Sequence, residues 1–287
     1  MALALPFAAS CGENPPPRPV APDDAPARDV VVRTERFAVH VNAYVDFYAW
    51  SRSSGTSLDQ DLVARLGACT NDRCAKDALA GAEGREGDLV PRPPAGDELD
   101  RYLRETWADH EQEARRTLGR TGSPLMDLED VIAPALATQI GRVWPDEPIV
   151  LYMARGARID PSGREGPVID AHGECFEGDA LLECLFTRAI ETMLPESDLG
   201  RGIEEARAKL DDHGRDATRA AVPCVAALAV DVAMAAADPR YKPTRRFAAA
   251  CAPPVRDWLG DAWVKRMRGD ETAKAFGARL VETMSRP

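Results

Sequence analysis

RFAVHV (36–41) alternates, with Phe37, Val39 and Val41 on one face and His40 on the other, which predicts a strand. Asn42 can cap the helix that follows, where Val41, Tyr44, Val45 and Tyr48 recur at helical spacing. SRSSGTS (51–57) ends it, and Ser57 with Gln60 makes a capping box for a second helix, SLDQDLVARLGA. From Ala80 to Gly96 the composition is loop-like, with Gly81, Gly84, Gly87, Pro91, Pro93 and Pro94. One amphipathic helix is then expected over 97–120, with Leu99, Leu103, Trp107, Ala114 and Leu118 as its stripe and His110 on that stripe. A further helix runs through 125–144 with a kink at Pro134.

PIVLYM (148–153) is short, apolar and rich in branched and aromatic residues, so it reads as a buried strand. Residues 156–172 read as a turn followed by a short extended piece. The rest is helical. DALLECLFTRAIETML (179–194) has Asp179 as N-cap and Pro195 as stop. A polar helix is expected at 201–212, and an Ala-rich helix at 215–237 interrupted by Pro223 and Asp231. Helices at about 244–258, 260–268 and 271–284 complete the chain. Asp231 would cost ~3 kcal/mol inside a bilayer, so the Ala-rich stretch reads as a buried central helix. The fold class expected is α+β, predominantly α-helical, with a small sheet.

Composition narrows the function classes. Apolar residues are 45% and charged residues 29%, which suits a globular chain. A net charge of −11 disfavours nucleic acid and anionic lipid surfaces as partners, because both are polyanions. Seven cysteines are present. With Cys11 set aside, six fall in close sequence pairs: Cys69 with Cys74, Cys175 with Cys184, and Cys224 with Cys251. Six cysteines allow 15 connectivities, so this pairing rests on proximity. Loop entropy assigns roughly 2, 3 and 3.5 kcal/mol to the three closures. Free thiols or a zinc site are the rival reading, although no CxxC pair exists.

ALALPFAAS before Cys11 resembles the end of a bacterial lipoprotein signal peptide with its lipobox, Ala9 and Ser10 filling the small positions. Ala8 departs from the usual Leu, and no basic segment leads. About ten residues is short for a whole signal, which implies a true start upstream of Met1. The resemblance makes residues 1–11 a truncated signal and Cys11 the lipidation site. Six prolines between Pro15 and Pro26 make residues 12–29 a polyproline-like tether, able to span ~55 Å. Residues 30–287 are then one globular domain, lipid-anchored in the bacterial cell envelope, periplasmic or outer-surface.

Four stretches carry a second resemblance. They are VHVNAYVDFYAW, PIVLYM with its turn and extended edge, ALLECLF opening a helix, and the helices around Trp258 and Trp263. Their order is similar to gluzincin-type zinc metallopeptidases, and more narrowly to peptidase-like bacterial envelope proteins, over roughly residues 35–285. The resemblance implies a sheet packed on a metallopeptidase-like helical domain. In such enzymes the helix carries HExxH, two His holding zinc and a Glu activating water. Here Thr187, Arg188 and Glu191 stand at the motif's first, second and fifth positions, and both His are missing. Arg188 cannot act as a base at neutral pH, and its charge opposes a bound cation. Arg188 and Glu191, three apart, can form a helix-surface ion pair.

The four histidines, His40, His110, His172 and His213, do not cluster, although His172 lies near Asp170 and Glu174. Three are expected exposed, with His110 packed on its helix. No GxSxG, GxGxxG or P-loop occurs. The expectation is therefore no metal, no cofactor and no catalytic residue. The resemblance implies instead binding of a peptide or envelope protein along the edge Gly166, Pro167, Val168, Ile169 and Asp170, by strand addition. Arg188 would pair a partner carboxylate. An active hydrolase with an unrecognised site and a passive structural envelope protein are the alternatives.

Overall fold

The computed structural model describes residues 29–51, 58–83, 96–155, 167–170, 175, 179–243 and 250–286. Cys11, most of the expected tether, Ser57, Gly166, His172 and Glu174 lie outside these residues. The sheet has four strands in the order β1 (Asp29–Arg33), β2 (Phe37–Val41), β3 (Ile149–Ala154) and β4 (Val168–Asp170). β1 runs antiparallel to β2, and β2, β3 and β4 are parallel. The predominantly helical α+β class stands.

β1 is an addition to the expected elements. DVVVR is β-branched, and it starts at Asp29, the last residue of the expected tether. Buried Glu129 secures its turn into β2. The carboxylate accepts the Thr34 hydroxyl and the Glu35 and Arg36 amides, the amides at 3.2 and 3.3 Å.

The sheet is covered on both faces. Phe37 pairs with Ile149 and Val39 with Leu151, so Phe37, Val39, Val41, Ile149, Leu151 and Met153 line one side. Against that side pack α5 (Trp107–Gly119), α6 (Gly122–Ile140), α7 (Asp179–Met193) and α10 (Ala221–Ala237). Tyr152, Ala154 and Val168 face a second, smaller core. It is built by α1 (Ala43–Ser51), α2 (Gln60–Ala68), α3 (Asp72–Glu83) and α4 (Gly96–Glu105). Two cores explain why the expected helix over 97–120 is two helices, α4 and α5, broken at Thr106. Leu99 and Leu103 belong to the small core, Ala114 and Leu118 to the large one, and one straight helix could not serve both.

Other expectations shift locally. Asp59 caps α2 and accepts the Asp61 and Leu62 amides, a role the sequence reading gave to Ser57. α3 reaches Glu83, inside the expected loop, because Ala75, Leu79 and Ala82 recur at helical spacing and are buried. α7 already includes Asp179, so that residue is helical. The expected polar helix at 201–212 is α8 (Asp198–Arg207), which buries Leu199 and Ile203, followed by α9 (Asp212–Ala217).

Pro223 lies in the first turn of α10, where its missing N–H costs nothing, and the helix runs on through Asp231. Residues 212–237 are long and apolar enough to span a bilayer, but most of that stretch is buried in the fold. α11 (Pro253–Met267) replaces two expected helices, and α12 (Ala273–Met284) follows.

All three proximity pairs are disulfides. Cα–Cα separations are 5.4 Å for Cys69–Cys74, 5.7 Å for Cys175–Cys184 and 5.1 Å for Cys224–Cys251. They tie α2 to α3, residue 175 to α7, and α10 to the approach to α11. Disulfides persist in oxidising compartments, which points to a location outside the cytoplasm.

Candidate functional site

Two places bring together side chains with chemistry. The first is α7 beside β4. Arg188 Nη1 lies 2.6 Å from Glu191 Oε2, and the side chains are 3% and 8% exposed. The expected ion pair therefore forms, but buried and not on the helix surface. At 3% exposure the Arg188 side chain is covered by the fold. Thr187 is also buried. Among the described residues no three His, Cys, Asp or Glu side chains are grouped to hold a metal ion.

β4 is the last strand of the sheet. The Tyr152 amide donates to Pro167 O at 2.7 Å, so Pro167 faces β3 and the backbone groups of Val168 point to the outer edge. Val168 and Ile169 send their side chains into the two cores. Among the described residues no strand pairs with that outer edge. Pro167–Asp170 is thus an edge strand held rigidly from both faces.

α7 carries a third buried charge. Glu183 and Asp231, on α10, both accept from the Tyr241 hydroxyl, the bond to Asp231 being 3.0 Å. One hydroxyl proton cannot serve two carboxylates at once. Burial pushes the Asp231 carboxyl up to about 6, opposed by the Tyr241 hydrogen bond and helped by the Glu183 charge. Burial also raises the Tyr241 phenol, reinforced by its bond to Glu183.

The second place lies at the carboxyl ends of β2 and β3. Asn42 follows β2 and caps α1, accepting the Tyr44 and Val45 amides at 3.0 and 3.1 Å. That cap places Asp46 one turn on, 1% exposed, against the end of β3. Asp46 Oδ1 accepts the Arg155 amide at 2.5 Å. Oδ2 accepts from His110 Nδ1 at 2.7 Å and from the Tyr102 hydroxyl. Burial raises the Tyr102 phenol, and the Asp46 charge adds to that. Arg155 Nε reaches Glu113 Oε2 at 3.1 Å. Trp50 packs tilted against Tyr102, with ring centroids 5.2 Å apart and the planes at 40°.

This network escaped the sequence reading. Asp46 and His110 are 64 residues apart, and Asp46 sits inside an apolar helix with no motif around it. An Asp in a stripe of Tyr44, Val45, Phe47 and Tyr48 was the available signal, since a buried carboxylate needs donors. Of the other expected exposed histidines, His213 is exposed and His40 is half-buried, its ring 5.6 Å from Tyr152.

No family model, no curated protein and no solved structure matches this chain.

Proposed function

We propose that this chain is a lipid-anchored bacterial envelope protein of metallopeptidase-like build that works without catalysis. It binds an extended segment of a peptide or envelope protein along the outer edge of β4. The observation that carries this reading is the buried Arg188–Glu191 pair: the charges of α7 neutralise each other inside the fold. A helix arranged in this way offers neither a base nor a metal ligand set beside the edge strand. Three disulfides support the extracytoplasmic part of the reading. The anchor rests on Cys11 and its lipobox-like approach in the sequence.

Strand addition draws its affinity from main-chain hydrogen bonds. Val168→Pro removes an outward N–H and leaves the ladder to β3 intact. The parent chain is expected to retain members of a displayed library of unstructured peptides, and Val168→Pro to lose that retention about tenfold, or ~1.4 kcal/mol. Equal retention by a folded Val168→Pro variant would remove β4 as the binding edge.

A further inference from the structure

The three disulfides differ in what a reagent can reach. Cys175, Cys184, Cys224 and Cys251 are 1%, 0%, 0% and 2% exposed, and Cys69 is 1% exposed. Of the six bridged cysteines Cys74 is the exposed one. It stands in the first turn of α3, where Asn71 Oδ1 accepts its amide at 3.0 Å. A helix encloses its backbone, so the exposed part of Cys74 is its side chain.

The surroundings of this bridge hold without it. Leu62, Val63 and Leu66 of α2 and Ala75, Leu79 and Ala82 of α3 are buried in the small core. The Tyr44 hydroxyl donates to Asp72 Oδ1 at 2.8 Å and ties the start of α3 to α1. The loop that the bridge closes is also the shortest, with a separation of 5 residues against 9 and 27, so opening it releases the least constraint. A thiolate on Cys74 would sit at the amino end of α3, which favours negative charge, although Asp72 in the same turn partly opposes this. A thiol on Cys69 would stay neutral against apolar neighbours.

We propose that the Cys69–Cys74 bridge is a site of thiol–disulfide exchange in the folded chain, with Cys74 Sγ the atom attacked and a dithiol the reductant, while the other two bridges are structural. The incoming thiolate bonds to Cys74 Sγ, the bond between the two cysteine sulfurs breaks, and Cys69 leaves with the electron pair and takes up a proton. The second thiolate of the reductant then attacks its own sulfur in the mixed disulfide and releases Cys74. The bridge gains two electrons and two protons, and the dithiol becomes a disulfide. This site is separate from the β4 edge, and neither reading depends on the other.

The test uses the full chain carrying Cys11→Ser, so that the seventh cysteine does not reshuffle the bridges. Samples taken during reduction by dithiothreitol are quenched in acid, unfolded, alkylated and mapped by peptide mass spectrometry. Cys69 and Cys74 are expected to become alkylated about 100-fold faster than the other four, with the circular dichroism unchanged. A reduced protein of the thioredoxin type, at equal thiol concentration, is the second arm: a faster reaction assigns a protein dithiol as the source, a slower one a small dithiol. Simultaneous loss of all three bridges, earlier loss of either of the other two, or loss of the fold together with Cys69–Cys74 would overturn the proposal. Cys69→Ser leaves Cys74 as a thiol, and Cys74→Ser leaves Cys69. In the folded variants Cys69 is expected to react with a disulfide reagent about tenfold more slowly than Cys74, and equal rates would overturn Cys74 as the sulfur attacked. If either variant does not fold, the reduction time course decides.

Discussion

On α7, Arg188 and Glu191 stand three residues apart and neutralise each other within a covered face. On α1, Asp46 gathers donors from three other parts of the fold, one of them Nδ1 of His110. Both places bury a carboxylate beside a nitrogen-bearing side chain. In the first, the nitrogen group is a permanent cation on the same helix, three residues away. In the second, the base is an imidazole with two distinct nitrogens, and holding one aims the other. Sequence spacing exposes the first kind of pair and conceals the second.

The comparison can be broken by substitution. Asp46→Ala is expected to have the largest effect. It orphans three donors in the buried network, at about 1–3 kcal/mol each, so a loss of about 5 kcal/mol in urea unfolding is expected. A loss under about 1 kcal/mol would mean that the network does not organise this end of the sheet. Arg188→Met should cost about 4 kcal/mol by leaving Glu191 buried without its cation. Arg188→Met with Glu191→Leu should regain most of that, because an apolar pair of similar size replaces the ions. If the double variant stays as unstable as the single one, an apolar pair does not replace the ion pair at this place.

Smaller effects follow. Replacing Cys224 and Cys251 by Ala opens the longest of the three loops and should cost roughly 3.5 kcal/mol, read from the shift in unfolding midpoint. Asp231 adds a pH dependence. Its carboxyl is held near 6 in the fold against an ordinary 3.8. The folded state therefore binds this proton more tightly than the unfolded state does. The resulting stability is fully present below about pH 4 and is lost as pH rises through about 6. Asp231→Asn should flatten that part of the stability profile, and an unchanged slope would show that another group is responsible.

Much of the fold was legible because it is local. The alternation at Phe37–Val41, the apolar run at Ile149–Ala154 and the cysteine pairs 5, 9 and 27 residues apart all express short-range constraints. The break between α4 and α5 was hidden because an unbroken helical stripe looks the same whether it meets one core or two. The Arg188–Glu191 contact was readable from its spacing, but its burial was not, since that depends on which faces of α7 the sheet and α10 cover. Asp46, Tyr102 and His110 were illegible as a group. Their convergence is set by the crossing of α1, α4 and α5 at the end of β3, and no local pattern encodes that crossing.

The central claim, that α7 is arranged for structure and not for metal-assisted hydrolysis, is tested most directly by elemental analysis of the purified full chain. A peptidase assay with and without chelator accompanies it. The account predicts substoichiometric zinc and no chelator-sensitive cleavage, for the parent chain and for Arg188→Met with Glu191→Leu alike. One tightly held zinc per chain, together with peptide cleavage that the chelator abolishes, would contradict it.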